Sequence, residues 1–273
     1  VELVGIANAV LFSSEDLNLV HGPPALRRRY LDILLSQADS RYLKALQRYQ
    51  QVLHQRNQLL KLLIERRAGQ DELQFWDIEL AREGSWVLWE RYQALLPLSQ
   101  SANECHTMLT GDQQGLSLVY KPSVALADFP HSGQHGDWPD LEKVQDSFMY
   151  SLEMTRERER IVGSTLIGPH RDDFRLTVAG ADVGTYGSRG QIRTVALTLR
   201  LAEAFYLTTQ QQDGPIILLD DVLSELDQVR RALVLKKVTE YQQVIITTTD
   251  LELLGRDFLR QATCLHVKDG LVS

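Results

Sequence analysis

Ile216-Ile217-Leu218-Leu219, running into Asp220-Asp221, limits more than any other stretch what this chain can become. Four large apolar residues opened by Gly214-Pro215 read as a strand buried on both faces, the condition met in a parallel sheet. Two carboxylates then fall at the strand's C-terminal end, where open α/β sheets hold their ligands. Paired acids there call for a cation, and hydrated Mg²⁺ on a nucleotide phosphate would supply one. A core strand entering the acidic first turn of a helix would give the same letters.

What lies around that stretch decides between the two. From Gly163 onward strands alternate with helices: a strand at Phe174–Val178, a helix at Ser188–Gln211, the apolar strand itself, and a helix at Ser224–Thr239. A strand at Val244–Thr248, a helix near Leu251–Leu259 and short strands around Thr263–Val267 and Leu271 complete a parallel α/β pattern. The first twenty residues hold a short strand that leads into a polar loop. Between these parts the chain is helical. Gly22-Pro23-Pro24 opens a helix to about Gln37, with proline suited to a first turn. Asp39 or Ser40 caps a second helix carrying Leu46, Leu53 and Leu60 seven apart, stopped at Gly69. A third runs from Leu73 to Pro97, so the pair forms an antiparallel hairpin of about 40 Å. Asp140 caps a further helix to about Ile161. The expected division is residues 1–21 with the sheet, 22–162 as a mainly helical lobe, and 163–273 as the α/β portion.

Charge excludes little. The 273 residues carry a net −7, so any nucleic-acid contact would be local. Arg27-Arg28-Arg29 is a basic run that fits either a solvated face or a phosphate-contacting patch. Two cysteines are too few for a disulfide framework and fit a reducing, cytoplasmic setting. No apolar run approaches membrane-spanning length. His131 and His135 lie in Gly/Pro-rich chain, where a solvent-exposed loop is the better reading than a metal site. Trp76, Trp86 and Trp89 at helical spacing suit packing of the hairpin better than base stacking.

The second motif is Tyr186-Gly187-Ser188-Arg189-Gly190-Gln191, directly before the longest helix of the α/β portion. Ser188 is a good N-cap, and glycines leave N–H groups exposed at a positive helix end. An ordinary capped helix satisfies the same letters. Order and spacing favour more: Ser-Arg-Gly-Gln, about five helical turns, then the apolar strand and its two acids.

That succession resembles the C-terminal part of ABC-type ATPase heads of the SMC kind, and within them the RecF family. Ser188-Arg189-Gly190-Gln191 matches the signature motif, with Arg189 where a glycine is usual. Ile216–Asp221 resembles Walker B, and Ser224-Glu225-Leu226-Asp227 the D-loop. Gly168-Pro169-His170-Arg171-Asp172-Asp173-Phe174, Arg27-Arg28-Arg29-Tyr30-Leu31-Asp32 and Gln55-Arg56-Asn57 extend the resemblance over essentially the whole chain. It implies an ABC-ATPase-like head plus a helical lobe, a slow ATPase using ATP and Mg²⁺. Asp220 would hold Mg²⁺ through water, and Asp221, where a catalytic Glu is usual, would orient the attacking water. Ser188, Arg189, Gly190 and Gln191 would touch ATP held by a second subunit, with Ser224 and Asp227 communicating across the interface. Thr249 stands at the switch position, often His. The implied partners are single-stranded and gapped or junction DNA, a second copy paired around ATP, and RecR and RecO, with no membrane.

One departure is serious. No Gly-x-x-x-x-Gly-Lys-[Ser/Thr] occurs in the sequence, and the first residue is Val1. The chain therefore reads as N-terminally truncated and inactive alone for lack of Walker A. A non-catalytic half-head serving as an interaction module is the alternative, and an ABC transporter ATPase a weaker one. His170 and Arg171 fit either a site near DNA or nucleotide, or a structural turn in which Arg171 pairs with Asp172 or Asp173.

Overall fold

A computed structural model describes residues 8–65, 71–112, 115–126, 139–210 and 214–272. Strand β1 (Ala9–Phe12) leads through a 3-10 turn (Ser14–Asp16) and α1 (Leu17–His21) into α2 (Pro24–Ala38), α3 (Ser40–Ile64) and α4 (Asp71–Thr110). There follow β2 (Leu116–Lys121), α5 (Leu141–Val162), β3 (Asp173–Val178), β4 (Ala181–Asp182) and α6 (Val183–Tyr186). The chain continues with α7 (Arg189–Gln210), β5 (Ile216–Asp220), α8 (Gln228–Val238) and β6 (Val244–Thr247). After α9 (Arg256–Leu259) it closes with a hairpin of β7 (Val267–Lys268) and β8 (Leu271–Val272).

The apolar strand is central, as its composition requires. β5 pairs in parallel with β1 on one side and β6 on the other. Ile217 and Leu219 are fully buried. The expectation for Phe174–Val178 needs correction: β3 belongs to a separate antiparallel sheet, ordered β2-β3-β4, rather than to the parallel one. Alternation marks a strand but not its partner. This sheet joins a strand before residue 162 to two after it, and so bridges the helical stretch and the α/β portion.

Caps placed the helices well. Pro24 is the first residue of α2, Asp39 caps α3 by accepting the Arg41 amide, and Asp140 caps α5 by accepting the Lys143 amide. Asp39 is also the sole residue between α2 and α3. Gly163 ends α5 at φ 71°, and the Gly69 stop expected for α3 lies outside the described residues, as do His131 and His135.

Pro97 does not end the third helix. α4 runs through it for 40 residues, about 60 Å. A proline inside a helix costs about 3 kcal/mol through its missing N–H and its ring clash. Ala94, Leu95, Leu98 and Ala102 are all buried around it, at helical spacing. Burying a leucine side chain contributes about 1.5–3 kcal/mol, so the tertiary gain outweighs the local cost. Trp86 and Trp89 pack against the main core and Trp76 against a smaller cluster of Leu59, Leu60 and Leu73, which fits the packing role.

Arginines tie the layers together. Arg56, fully buried, donates to Asp77 on α4 (2.8 Å), Glu159 on α5 (2.7 Å) and the Thr165 hydroxyl (2.7 Å). Arg91 on α4 donates to Asp32 on α2 (2.7 Å) and to the Pro169 carbonyl (2.7 Å). Arg200 on α7 holds Asp16 (2.7 Å) and Glu203 (2.8 Å), and burial raises the Glu203 carboxyl above its ordinary range.

Candidate functional site

The acid pair stands at the C-terminal edge of the parallel sheet. Asp220 is the last residue of β5 and is in register with Thr247 of β6. The chain leaves the strand at Asp221 in a left-handed conformation (φ 50°, ψ 24°), one of three non-glycine residues with positive φ among those described. Such a backbone costs about 1–3 kcal/mol and persists only where its surroundings hold it. Thr247 does the holding. Its hydroxyl donates to Asp220 Oδ1 (2.7 Å) and accepts the Asp221 amide (3.2 Å), whose N–H also faces the Thr247 carbonyl (3.2 Å). Sequence reasoning missed Thr247; only the register of β6 against β5 reveals it. Both carboxylates remain exposed.

The following segment is shorter in helix than expected. Val222–Glu225 is a 3-10 turn, and α8 begins only after Asp227, whose carboxylate caps it by accepting the Arg230 amide (2.9 Å). Ser224 donates its hydroxyl to the Asp221 carbonyl (2.7 Å). Arg231 grips the turn from behind through the Leu223 and Leu226 carbonyls.

Ser188 and Gln191 form a reciprocal capping box at the start of α7. The Ser188 amide donates to Gln191 Oε1 (2.8 Å), and the Gln191 amide donates to Ser188 Oγ (3.3 Å). Ser188 through Gln191 are all exposed, and a Cβ on Gly190 would meet nothing within 4 Å. Arg189 makes no ion pair or hydrogen bond among the described residues, although a cation in a first helical turn opposes the helix dipole. No hydrogen bond links these four residues to Asp220 or Asp221 among the described residues. The connection to the acid edge is one turn further along, where Arg193 pairs with Glu225 (3.1 Å). Thr249 is exposed in the turn after β6 and bonds to nothing among the described residues.

His170 and Arg171 form the structural turn. Tyr49 donates its hydroxyl to His170 Nδ1 (2.6 Å), and His170 Nε2–H then faces the Thr165 carbonyl (3.2 Å). Arg171 also reaches that carbonyl (3.1 Å) rather than Asp172 or Asp173. Asp173 instead pairs with Arg27 (2.7 Å), and Asp172 accepts from Tyr120 and Ser123. Burial, with Arg171, Arg28 and Arg56 nearby, pulls the His170 pKa down to about 4. The unfolded chain, with an ordinary value near 6.5, binds the proton first. Stability should therefore fall as pH drops from about 6.5 towards 4, and His170→Asn should flatten that limb of a pH series of urea melts. An unchanged slope would show that His170 does not set it.

Among the described residues no three His, Cys, Asp or Glu side chains group into a metal cage. Asp220 and Asp221 still fit hydrated Mg²⁺, which takes one or two carboxylates and fills its shell with water and phosphate oxygens. A parallel sheet with an acid edge, preceded by an exposed Ser-x-Gly-Gln cap and carrying a helical hairpin, has the fold of an ABC-type ATPase head.

Comparison with family models finds no match. Among curated proteins, the DNA replication and repair protein RecF of Herpetosiphon aurantiacus is 44% identical over 99% of this chain. That of Bacillus cytotoxicus is 38% identical over 99%. Solved structures of the recombination mediator protein RecF with ATP and an ATP analogue, in the RecFOR pathway, superpose with TM-scores of 0.85 and 0.86 at 30% and 31% identity. The chain belongs to the RecF family. It spans 67% of the Herpetosiphon protein and 68% of each solved chain.

Proposed function

We propose that this chain serves as an ATP-responsive head of a recombination-repair mediator, pairing with a second head around ATP and acting at single-strand gaps or duplex junctions to assist recombinase loading. The observation that carries the reading is the exposed Ser188–Gln191 cap, closed on itself by two hydrogen bonds and open to solvent over Gly190. Arg189 strengthens it: a cation kept against the helix dipole, with no partner among the described residues, has a reason to be there if an anion arrives from outside. In this reading Ser188, Arg189, Gly190 and Gln191 meet the γ-phosphate of ATP held by the other subunit. Asp220 holds Mg²⁺ through water, Asp221 orients the attacking water, Ser224 and Asp227 carry the signal across the interface, and Thr249 senses the γ-phosphate. No Gly-x-x-x-x-Gly-Lys-[Ser/Thr] occurs in these 273 residues, so the test supplies the P-loop on a partner protein. DNA contact is mainly to phosphate and weakens with salt. RecR and RecO are the expected protein partners, in the cytoplasm.

The test mixes labelled chain with a P-loop-bearing RecF protein and follows sedimentation with and without ATP. ATP should drive the labelled chain into a complex, and Ser188→Arg should weaken that complex at least tenfold. Asp221→Asn should leave it intact, because in this reading that carboxylate acts on the attacking water and not on the pairing of the heads. Association indifferent to ATP, or to Ser188→Arg, would overturn the reading. It would favour the second one, a non-catalytic interaction module, for which the missing P-loop motif is the supporting observation.

A further inference from the structure

A cleft away from the acid edge lies where α2 and α3 meet. It holds about 580 Å³, within the range of ligand-binding clefts. α2 offers Ala25, Arg29 and Ile33, four residues apart, and α3 offers Leu43, Leu46 and Gln50 at spacings of three and four. Each helix thus turns a regular ridge towards the cleft, and among the described residues only Arg91 and His170 join them in lining it. Ile33 is 46% exposed, although Leu31, Leu34 and Leu35 on the same helix are buried.

The unpaired charge around this groove has one sign. The basic run Arg27-Arg28-Arg29 is divided by the fold: Arg27 is paired with Asp173, while Arg28 bonds only to the Asp172 carbonyl and Arg29 to nothing among the described residues. Arg28 and Arg29 both line the cleft. Its one carboxylate, Asp32, is already held by Arg91 and by the Tyr42 hydroxyl. His170, at the inner end, stays neutral because burial lowers its pKa. A groove with an apolar floor and two uncompensated guanidinium groups, on a chain of net charge −7, is complementary to an acidic, apolar-ridged occupant. Helical spacing on both walls favours a helix over an extended strand.

We propose that the cleft between α2 and α3 docks a short amphipathic helix of a partner protein whose apolar ridge is flanked by acidic side chains. The proposal is independent of the ATP reading, since none of these residues belongs to the acid edge or the α7 cap. The complex should have Ile33 and Leu46 against the apolar ridge, with Arg29 and Arg28 against its carboxylates.

The test selects a phage-displayed library of 16-residue peptides on the full chain. Enriched sequences should carry Leu, Ile or Phe at three- and four-residue spacing with Asp or Glu beside them. Binding of the best synthetic peptide, read by fluorescence anisotropy, should fall at least tenfold with Arg29→Glu and with Ile33→Asp, and survive Arg29→Lys. Both positions are solvent-facing, and unchanged thermal melts would confirm that the variants fold. No enrichment, or enriched peptides that are neutral or basic, would overturn the proposal. So would a 20-nucleotide single strand whose binding falls with Arg29→Glu while the peptide's does not, which would make the cleft a nucleic-acid contact.

Discussion

Replacing Arg56 with leucine should lower the free energy of unfolding by about 3–5 kcal/mol, measured by urea denaturation. The guanidinium is fully buried and meets two carboxylates and a hydroxyl brought from three separate segments. Leucine fills much of the volume but leaves Glu159 buried with, among the described residues, only the Leu166 amide (2.7 Å) as a partner. Asp77 fares better, because Arg156 also reaches it at 3.0 Å. The loss should therefore fall chiefly on the α3–α5 contact, and adding Glu159→Gln to Arg56→Leu should recover part of it. A loss under about 1 kcal/mol would mean that water enters and solvates the carboxylates.

Gly168→Ala should be comparably damaging, for a steric rather than an electrostatic reason. Gly168 sits at φ +116°, where side chains are disfavoured, and a Cβ there would lie 2.5 Å from the Tyr49 hydroxyl and 2.9 Å from Phe148 Cζ. Its amide and carbonyl are both bonded to the Ser123 hydroxyl, so the backbone has no easy retreat. Backbone strain of about 1–3 kcal/mol and overpacking of about 1–3 kcal/mol combine to roughly 3 kcal/mol or more. The Tyr49–His170 hydrogen bond should be lost with it, visible as a His170 ring that titrates nearer its ordinary pH by NMR. A variant with unaltered melting and titration would sink this account of the turn.

These two sites show where sequence reading stops. Helix starts were legible because a cap is a local device: Asp39, Asp140 and Ser188 act within three residues of themselves. The central strand was legible because burial on both faces leaves an unbroken apolar run. Partners distant in the chain were not. Arg56, Asp77 and Glu159 each look like solvent-facing charges on helices until the fold brings them together. The pairing of β3 with β2 depends on a contact that no period encodes. Pro97 carries a strong local stop signal that the buried residues around it override. The same division holds in the candidate site: the two acids and the Ser-x-Gly-Gln cap follow from order and spacing, while Thr247 emerges only from strand register.

The connection between α2 and α3 has a kinetic consequence. With Asp39 alone between the two helices, and its carboxylate fixed to the Arg41 amide, there is no spare chain with which to open or close the groove they form. Whatever enters finds the groove already shaped and needs no closing step. Its association rate should be governed by encounter and charge steering, hence by salt, while changes to the groove wall should register in how long the occupant stays.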